Sequence, residues 1–540
     1  MGIYLELHIA PSRIDASEWA KAWDLSLDLL RRYPLKLVRF QAETFGRTRR
    51  LLYTRQIEVD ADDPRQRHWR ISGDLDSRRM AETFALPRQL NVRATHKGEE
   101  GDLLLSIHGE IYGGCDGPSC WDLWGSKTQG YPYHHALMVV GMMLEDRFGP
   151  DVVIRGDFDR AQADRAARWA KDFAGLELPL PVLVDPARLV ARLDATPQDK
   201  AKLIDVASEL FIGERRHILK TCLDRWGSQR LRQWMALGLG SFSASMVGAL
   251  DLMSDWLDVT GDVEGLCRLA CLDSDGPGYE PGAFVEALLQ SKLTAPAHVG
   301  DPLDALSPPP GEADSVEAIL ARFMLTQSLT PRHMDFRISA DALASVLQEH
   351  FGEQAGHWRH RIERATDSHV NTAQRLTTFF DRIDERTARS PVATVADMAA
   401  ASSLADLHPD WQMTCLLSWW RAARLVAQIP AQAAQARYFP SEPNELRERL
   451  ATLTLDAGMI LTEDAWAWID QEDDPQILLR AFALQLVART KGVLRDLQWG
   501  LLENPALCRE LQAALADPEK ITSLRRWMKE KGFEEEGDLV

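Results

Sequence analysis

The sequence lacks a long hydrophobic run. Its longest apolar stretch, Ala136–Leu144, is far shorter than the roughly 20 consecutive apolar residues that a membrane-spanning helix requires. The opening residues Met1–Ala10 contain Glu6 and His8 and alternate like a strand, which argues against a secretory signal peptide. We therefore expect no membrane segment and a cytoplasmic location.

Cysteine is sparse and irregularly spaced. A disulfide framework in a secreted domain uses an even set of cysteines at regular spacing. Here the number is odd, and the seven positions follow no pattern: Cys115, Cys120, Cys222, Cys267, Cys271, Cys415 and Cys508. This pattern predicts free thiols in a reducing compartment.

An excess of positive charge is also missing. The chain has 62 Lys and Arg against 80 Asp and Glu, which gives a net charge of -18. Nucleic-acid binding depends on clustered cations that neutralise phosphates, and the arginines at 47, 49, 50 and 55 alternate along an apparent hairpin like a solvated face. The charge disfavours a nucleic-acid partner and favours a protein partner with a basic surface.

Familiar catalytic signatures are absent. We find no Gly-x-Ser-x-Gly, His-Glu-x-x-His, Gly-x-Gly-x-x-Gly or EF-hand pattern. The segment Gly125–Thr128 resembles a phosphate-binding loop, but Ser126 stands where the glycine before Lys127 is needed. Trp121 stands at the other required glycine. These departures exclude a P-loop NTPase, and no catalytic residue, metal ligand or cofactor is assigned.

Hydrophobic periodicity predicts an α+β N-terminal domain over residues 1–190, with a mixed or antiparallel sheet and helices. The predicted strands are Ile3–Ile9, Leu35–Thr44, Leu51–Val59, His68–Ile71, Gln89–Thr95, Asp102–His108, Val152–Arg155 and Leu180–Val184. The predicted helices are Ala16–Arg32, Ser77–Phe84, Pro132–Phe148 and Arg160–Phe173. Asp76 or Ser77 is expected to cap the second of these helices, and Asp159 the fourth.

The remainder has helical periodicity throughout and predicts a large all-α C-terminal region. We divide it into a helical domain at 191–300, a Pro-rich linker at 301–314 and a second helical domain at 315–540. No fixed repeat period is present, so the expected arrangement is an irregular helical array. Such a region, without charged motifs in its apolar faces, favours a binding surface over a catalytic core.

The least ordinary segment is Gly113–His135, within a predicted irregular stretch, Gly109–Gly130, and the start of a buried helix. Long structureless loops in compact domains tend to be functional, and a helix N-terminus attracts anions. The candidate partner- or ligand-binding residues are Trp121, Asp122, Trp124, Lys127, Thr128, Gln129, Tyr131, Tyr133, His134 and His135. The alternative is that the aromatic side chains only pack the loop onto the core.

The same segment offers possible zinc ligands, namely Cys115 and Cys120 followed by His134 and His135. Structural zinc sites favour two to four residues between paired cysteines and three to five between paired histidines. The cysteine gap is at that limit and the histidines are adjacent. We therefore expect no zinc at this set of four residues.

Two functional hypotheses remain. The first is a non-enzymatic protein-binding protein, of the bacterial immunity or antitoxin type or an adaptor of a toxin or defence system. Its support is the acidity, the 17 tryptophans and the missing catalytic set. The alternative is an enzyme, a hydrolase or nucleotide-handling protein, whose site lies in Gly113–His135, with Lys127 neutralising charge and His134 or His135 moving protons.

Overall fold

The structure is a computed structural model. It describes residues 3–61, 63, 65–90, 101–112, 120–290, 293–294, 335–366, 395–428, 442–456, 460–490 and 495–531. An N-terminal region of antiparallel sheets with helices is followed by a mostly helical region, which confirms the predicted fold class. The predicted linker at 301–314 lies outside the described residues, and the predicted domain boundaries stay a prediction.

The N-terminal region contains eight described strands and four α-helices before residue 180. The strands are β1 (Tyr4–Ile9), β2 (Leu37–Phe45), β3 (Thr48–Thr54), β4 (Glu58–Val59), β5 (His68–Asp74), β6 (Arg79–Pro87), β7 (Trp121–Lys127) and β8 (Val152–Gly156). The helices are α1 (Ala16–Arg32), α2 (Leu103–Tyr112), α3 (Tyr133–Phe148) and α4 (Arg160–Ala174). The predicted helices that became α1, α3 and α4 are therefore confirmed to within a residue or two.

The strands form two sheets. One has the order β7-β1-β8, and the other has the order β3-β2-β5-β4 with β6 paired to β5. All pairs between these strands are antiparallel. The sheets enclose a core with α1, α3 and α4, in which Trp19, Trp23 and Trp69 are fully buried. Much of the Trp content of this region is thereby used for packing.

The predicted helix Ser77–Phe84 is wrong, because this segment belongs to β6. Asp74 accepts hydrogen bonds from the Ser77 backbone N–H and hydroxyl, and this closes a turn between β5 and β6. Arg78 lies in that turn with φ of 54°. Asp76 caps no helix; its carboxylate accepts from the Lys36 N–H instead. Pairing with β5 outweighed the weak local helical pattern.

The predicted hairpin Gln89–Thr95 with Asp102–His108 is also wrong where the structure describes it. Residues 103–112 form α2, and Asp102 accepts from the Leu104 N–H at its start. The run Leu103–Ile107 is apolar without interruption, and such short runs do not distinguish a buried strand from a buried helix. The last predicted strand, Leu180–Val184, contains instead a short 3-10 helix at Val182–Val184 behind Pro181, since proline has no N–H for a sheet ladder.

The capping prediction for α4 is confirmed, and the last helix begins with a cap of the same kind. Asp159 and Gln162 form a reciprocal capping box at the start of α4. Asp517 accepts from the Glu519 N–H, with Pro518 in the first turn of the last helix. These signals depend only on neighbouring residues, and so they were legible in the sequence.

The described helices of the second region vary in length and follow no fixed period. They are Pro186–Asp194, Lys200–Leu210, Arg215–Trp226, Ser228–Leu239, Val247–Thr260, Val263–Cys267, Pro281–Gln290, Ala340–Phe351, Val395–Ala400, Pro409–Gln428, Pro443–Asp456, Glu463–Gln471, Pro475–Thr490, Arg495–Leu502, Pro505–Leu515 and Pro518–Glu530. A 3-10 segment, Gly352–His357, and a π-helical segment, Arg268–Leu272, interrupt them. Within the described residues, none of these helices is both long and apolar enough to cross a membrane.

The helical region packs directly on the N-terminal sheets. Along the edge of β3, the Tyr53 N–H donates to the Leu461 carbonyl at 3.0 Å and the Trp466 indole donates to the Leu51 carbonyl at 2.9 Å. Leu52 is buried among apolar residues of the C-terminal helices. An exposed strand edge invites unwanted pairing, so this cover also protects β3.

Candidate functional site

The prediction of an irregular stretch over Gly109–Gly130 is wrong where the structure describes it, because Gly109–Tyr112 end helix α2 and Trp121–Lys127 form strand β7 at the edge of the three-stranded sheet. Residues 113–119 lie outside the described residues. Trp124 is buried beside Trp69 and Phe84, and its indole donates to the Ala85 carbonyl at 2.9 Å. Trp121 packs against the same core at partial exposure. Both tryptophans therefore anchor the strand.

The end of β7 leads through a tight turn into α3. The backbone N–H groups of Thr128 and Gln129 both donate to the Ile3 carbonyl, and Gln129 has φ of 57°. The Lys127 N–H donates to Glu82 at 2.9 Å, and its ammonium group lies 5.3 Å from the centre of the Tyr4 ring. Tyr131 packs at the rim of the core, with Arg79 over its ring. These contacts hold the turn in place, and they bring no set of catalytic or metal-binding side chains together in it.

At the start of α3, Tyr133 and His134 are buried and His135 is partly buried. Tyr133 is fully buried and its hydroxyl lies 3.4 Å from the Glu82 carbonyl. His134 Nδ1 lies 2.6 Å from the Thr128 hydroxyl, and His135 Nδ1 bonds the Tyr33 hydroxyl. Burial lowers the pKa of both imidazoles to about 4, with further lowering of the His134 pKa by His135 and of the His135 pKa by Arg165. The two histidines stay neutral at physiological pH.

Two residues of the segment meet at a different place. Cys120 precedes β7 and Asp122 lies within it, and both approach His8 of β1. His8 Nδ1 is 2.6 Å from an Asp122 carboxylate oxygen and 3.7 Å from Cys120 Sγ. We call His8, Cys120 and Asp122 the His–Cys–Asp cluster. Each offers one ligand atom, and these atoms lie within 4.8 Å of one another.

A β-bulge creates this cluster. Leu7 pairs with Trp124 but His8 pairs with Asp122, so Leu123 is an extra residue in β7. Bulges redirect side chains and are frequent beside functional sites. Without the extra residue, the alternation of the strand would turn Asp122 away from its present position opposite His8.

The other imidazole nitrogen of His8 faces Glu6. Nε2 lies 3.3 Å from a Glu6 carboxylate oxygen, and the same oxygen is 3.5 Å from the Arg155 guanidinium. The hydrogen bond with His8, then the charge of Arg155, hold the pKa of Glu6 below its usual range in spite of burial. Glu6 therefore fixes the ring of His8 and leaves Nδ1 directed at Cys120 and Asp122.

Access to the cluster is uneven. The His8 side chain is 7% exposed, whereas that of Asp122 is 62% exposed. Cys120 is partly exposed. Two acidic carboxyl groups and a thiol thus surround one imidazole at the protein surface, and among the described residues Arg155 supplies a fixed positive charge to Glu6. A cation on the Asp122 side would balance the negative charge.

The cluster replaces the zinc set considered from the sequence. Cys120 stays in it, but His134 and His135 point into the core, and Cys115 lies outside the described residues. His8 and Glu6 were not predicted as site residues. Their signal was the alternation of β1, where Leu5, Leu7 and Ile9 are buried apolar residues and the polar side chains fall between them.

A second group of possible ligands joins the two regions. His108 of α2 lies 2.6 Å from Glu209, and Asp205 stands one helical turn before Glu209. The Trp234 indole already donates to Asp205 at 3.2 Å. These contacts explain why the three side chains lie together: they connect neighbouring helices.

Comparison with known proteins gives no independent guide to the site. No protein-family model, no curated protein and no solved structure matches the chain. The geometry of the His–Cys–Asp cluster is therefore the evidence for its chemistry.

Proposed function

We propose that this chain is a zinc metalloprotein in which His8, Cys120 and Asp122 bind the ion and a fourth position stays open to solvent. The observation that carries the proposal is the convergence of these three ligand types on one point, with Glu6 behind the imidazole. Imidazole nitrogen, thiolate and carboxylate oxygen are the ligands that zinc takes in proteins. Ligating histidines commonly offer their other nitrogen to a carboxylate, as His8 does to Glu6.

The spacing supports tetrahedral zinc. Bonds of about 2.3 Å to sulfur and about 2.0 Å to nitrogen place those two atoms roughly 3.6 Å apart in a tetrahedron. The observed separation of His8 Nδ1 and Cys120 Sγ is 3.7 Å. Asp122 is closer to Nδ1, at a hydrogen-bond distance, and its exposed carboxylate has room to turn toward an ion.

Three protein ligands with an open fourth position favour a hydrolytic role. Zinc held at such a site would supply Lewis-acid chemistry, because an open position on the ion lowers the pKa of a water ligand to about 7. The chain's own residues would hold the ion, orient His8 through Glu6 and leave the approach beside Asp122 open. This proposal keeps the hydrolase alternative and moves its residues from Lys127, His134 and His135 to the His–Cys–Asp cluster.

We expect the purified protein to contain about one zinc per chain and Cys120→Ser to lose it. Removing the carboxylate behind the imidazole, in Glu6→Gln, should weaken zinc binding by about 10–100-fold, because such carboxylates orient the ligand and raise its basicity. Competition with a chromogenic chelator measures both effects. Cys271→Ser is the matched control, since Cys271 is a partly exposed free thiol in the helical region.

Two outcomes of the zinc measurement would contradict the metal site. One is protein free of zinc after expression and dialysis in zinc-replete buffer. The other is zinc content that is equal in wild type and Cys120→Ser. Rapid alkylation of Cys120 by iodoacetamide that is unaffected by added zinc would instead indicate a thiolate activated by His8, and would also overturn the proposal.

We further propose protein binding as a second function, because one exposed segment favours it. Leu237 and Val247 are 67% and 66% exposed, and Met246 and Phe242 lie exposed between them at the junction of two helices. Contiguous exposed apolar residues mark interaction surfaces more often than single ones do. Residues 233–267 also contain four acidic residues outside the core and no Lys or Arg: Asp251, Asp258, Asp262 and Glu264, whereas Asp255 is buried in an ion pair with Arg215. The fitting partner is a basic amphipathic segment, and the narrower immunity or antitoxin hypothesis stays a prediction.

A Lys/Leu amphipathic model peptide should bind this segment, and Leu237→Ser with Val247→Ser should weaken binding by at least about tenfold. Burying two large aliphatic side chains contributes roughly 1.5–3 kcal/mol each, which is more than a factor of ten. Fluorescence anisotropy measures the affinity, which should fall as salt screens the acidic residues. Phe173→Ser is the control, because Phe173 is 71% exposed elsewhere. Equal affinity of the control and the double variant would contradict the assignment.

A further inference from the structure

A basic cleft opens beside the second sheet, between the end of α1 and β4. Its volume is about 400 Å³, which is within the roughly 300–1,000 Å³ of small-molecule sites. Four cationic side chains line it over a floor of leucine and isoleucine: Arg31, Lys36, Arg55 and Arg67. We call it the arginine cleft. Its charge is opposite to the net charge of -18 of the chain.

The carboxylates in the cleft neutralise only part of this charge. Glu58 is shared, since one of its oxygens lies 2.6 Å from Arg31 and the other 3.0 Å from Arg67 Nε. Asp60 is mostly exposed, 3.6 Å from Arg67. Lys36 has its own partner outside the lining, Asp76, at 3.3 Å. One carboxylate therefore serves two arginines at the centre of the cleft.

Arg55 of the lining and two neighbouring arginines outside it, Arg39 and Arg70, have no carboxylate partner among the described residues. Arg55 is exposed on the cleft wall. Arg39 donates from Nε to the Gln56 carbonyl at 2.7 Å, and the Arg70 backbone N–H donates to the Ile57 carbonyl at 2.8 Å. Burial, and then the nearby charge of Arg70, lower the pKa of Arg39. The positive charges of Arg39 and Arg70 thus lie close together beside residues 55–58, which line the cleft.

We infer that the arginine cleft binds a phosphorylated small molecule. Phosphate groups would accept from the guanidinium groups of Arg55 and Arg31, which both line the cleft and present planar donor pairs that match phosphate oxygens. The apolar floor suits the uncharged part of the molecule. A nucleic acid would need cations along an extended track, and the acidic balance of the chain opposes that.

Titration calorimetry with inorganic pyrophosphate and with ADP tests this inference on the intact protein at low salt. We expect binding of both probes, with Arg55→Ala and Arg31→Ala each weakening it by at least about tenfold, since each removes a charge-assisted hydrogen bond. Arg55→Lys should restore part of the affinity, and binding should weaken as salt rises. Arg49→Ala is the matched control, because Arg49 is an exposed arginine on neighbouring β3.

The inference fails if neither probe binds at millimolar concentration. It also fails if Arg55→Ala and Arg31→Ala bind the probes as the wild type does while thermal unfolding shows both variants folded. A single-stranded RNA that binds more tightly than ADP and displaces it would assign the cleft to nucleic acid and overturn the small-molecule ligand. These outcomes are independent of zinc at the His–Cys–Asp cluster.

Discussion

Glu145→Ala should lower the free energy of unfolding by about 2–6 kcal/mol, because it leaves two buried backbone donors unsatisfied at roughly 1–3 kcal/mol each. Glu145 is buried on α3. Its two carboxylate oxygens accept from the Ile154 N–H at 3.0 Å and the Val182 N–H at 2.7 Å. The residue thereby joins the free edge of β8 to the turn that leads into the helical region.

Urea denaturation measures this loss, and Asp146→Ala is the control because Asp146 is the exposed neighbour on the same helix. An exposed substitution of this kind changes stability by less than about 0.5 kcal/mol. Equal stability of the two variants would show that the Ile154 and Val182 donors find other partners. In that case Glu145 would contribute no stability to the junction between the two regions.

The pH dependence of this effect has a definite sign. Burial raises the pKa of Glu145, although the two backbone donors oppose the shift. A carboxyl whose pKa is raised by folding contributes stability below its unfolded pKa and loses that contribution as pH rises through the folded pKa. The gap between wild type and Glu145→Ala should therefore shrink from pH 5 to pH 8. A gap that widens over this range would contradict a raised pKa.

Arg78→Ala should destabilise the protein by about 3–5 kcal/mol, because it leaves a buried charge without its partner. Arg78 lies 2.8 Å from Glu503, whose side chain is fully buried. Glu503 also accepts from the backbone N–H and hydroxyl of Thr462. The Arg78 turn thus clamps the C-terminal helices against the second sheet. The positive φ of this position strains the backbone of alanine and of arginine alike. The loss of stability in Arg78→Ala therefore measures the contribution of the arginine side chain.

A double variant separates the effect of the unpaired Glu503 charge from the effect of losing the Arg78 side chain. Arg78→Ala with Glu503→Gln removes the unpaired charge and should recover part of the stability lost in Arg78→Ala alone. Denaturation of the single and double variants in urea measures the coupling, with Arg49→Ala as the exposed control. Additive losses in the double variant would show that the pair does not act as a clamp.

The elements that could be predicted are those with long local patterns. The helices that became α1, α3 and α4 have several turns of periodic or continuous apolar residues, and Asp159 announces its own helix start. The short apolar run of α2 and the short segment of β6 were misassigned, because a few residues carry too little periodicity to separate strand from helix. Their states were decided by neighbours distant in the chain.

The candidate site divides in the same way. Cys120 and Asp122 were singled out as part of an unusual segment, but the segment contained nine other binding candidates that pack against the core or form turns. His8 joined the cluster from a strand 112 residues away, and the extra residue Leu123 brought Asp122 opposite it. No spacing rule within one segment predicts a ligand supplied by another strand.

The sequence by itself determined the two-part architecture, the acidic balance and the lack of familiar catalytic motifs, because composition and periodicity are local properties. The tertiary structure decided which polar residues meet. Strand pairing placed His8 beside Cys120 and Asp122, and the folding of β4 against α1 gathered arginines into one cleft. Such meetings depend on register and packing between segments distant in the chain, which alternation and charge counts do not encode.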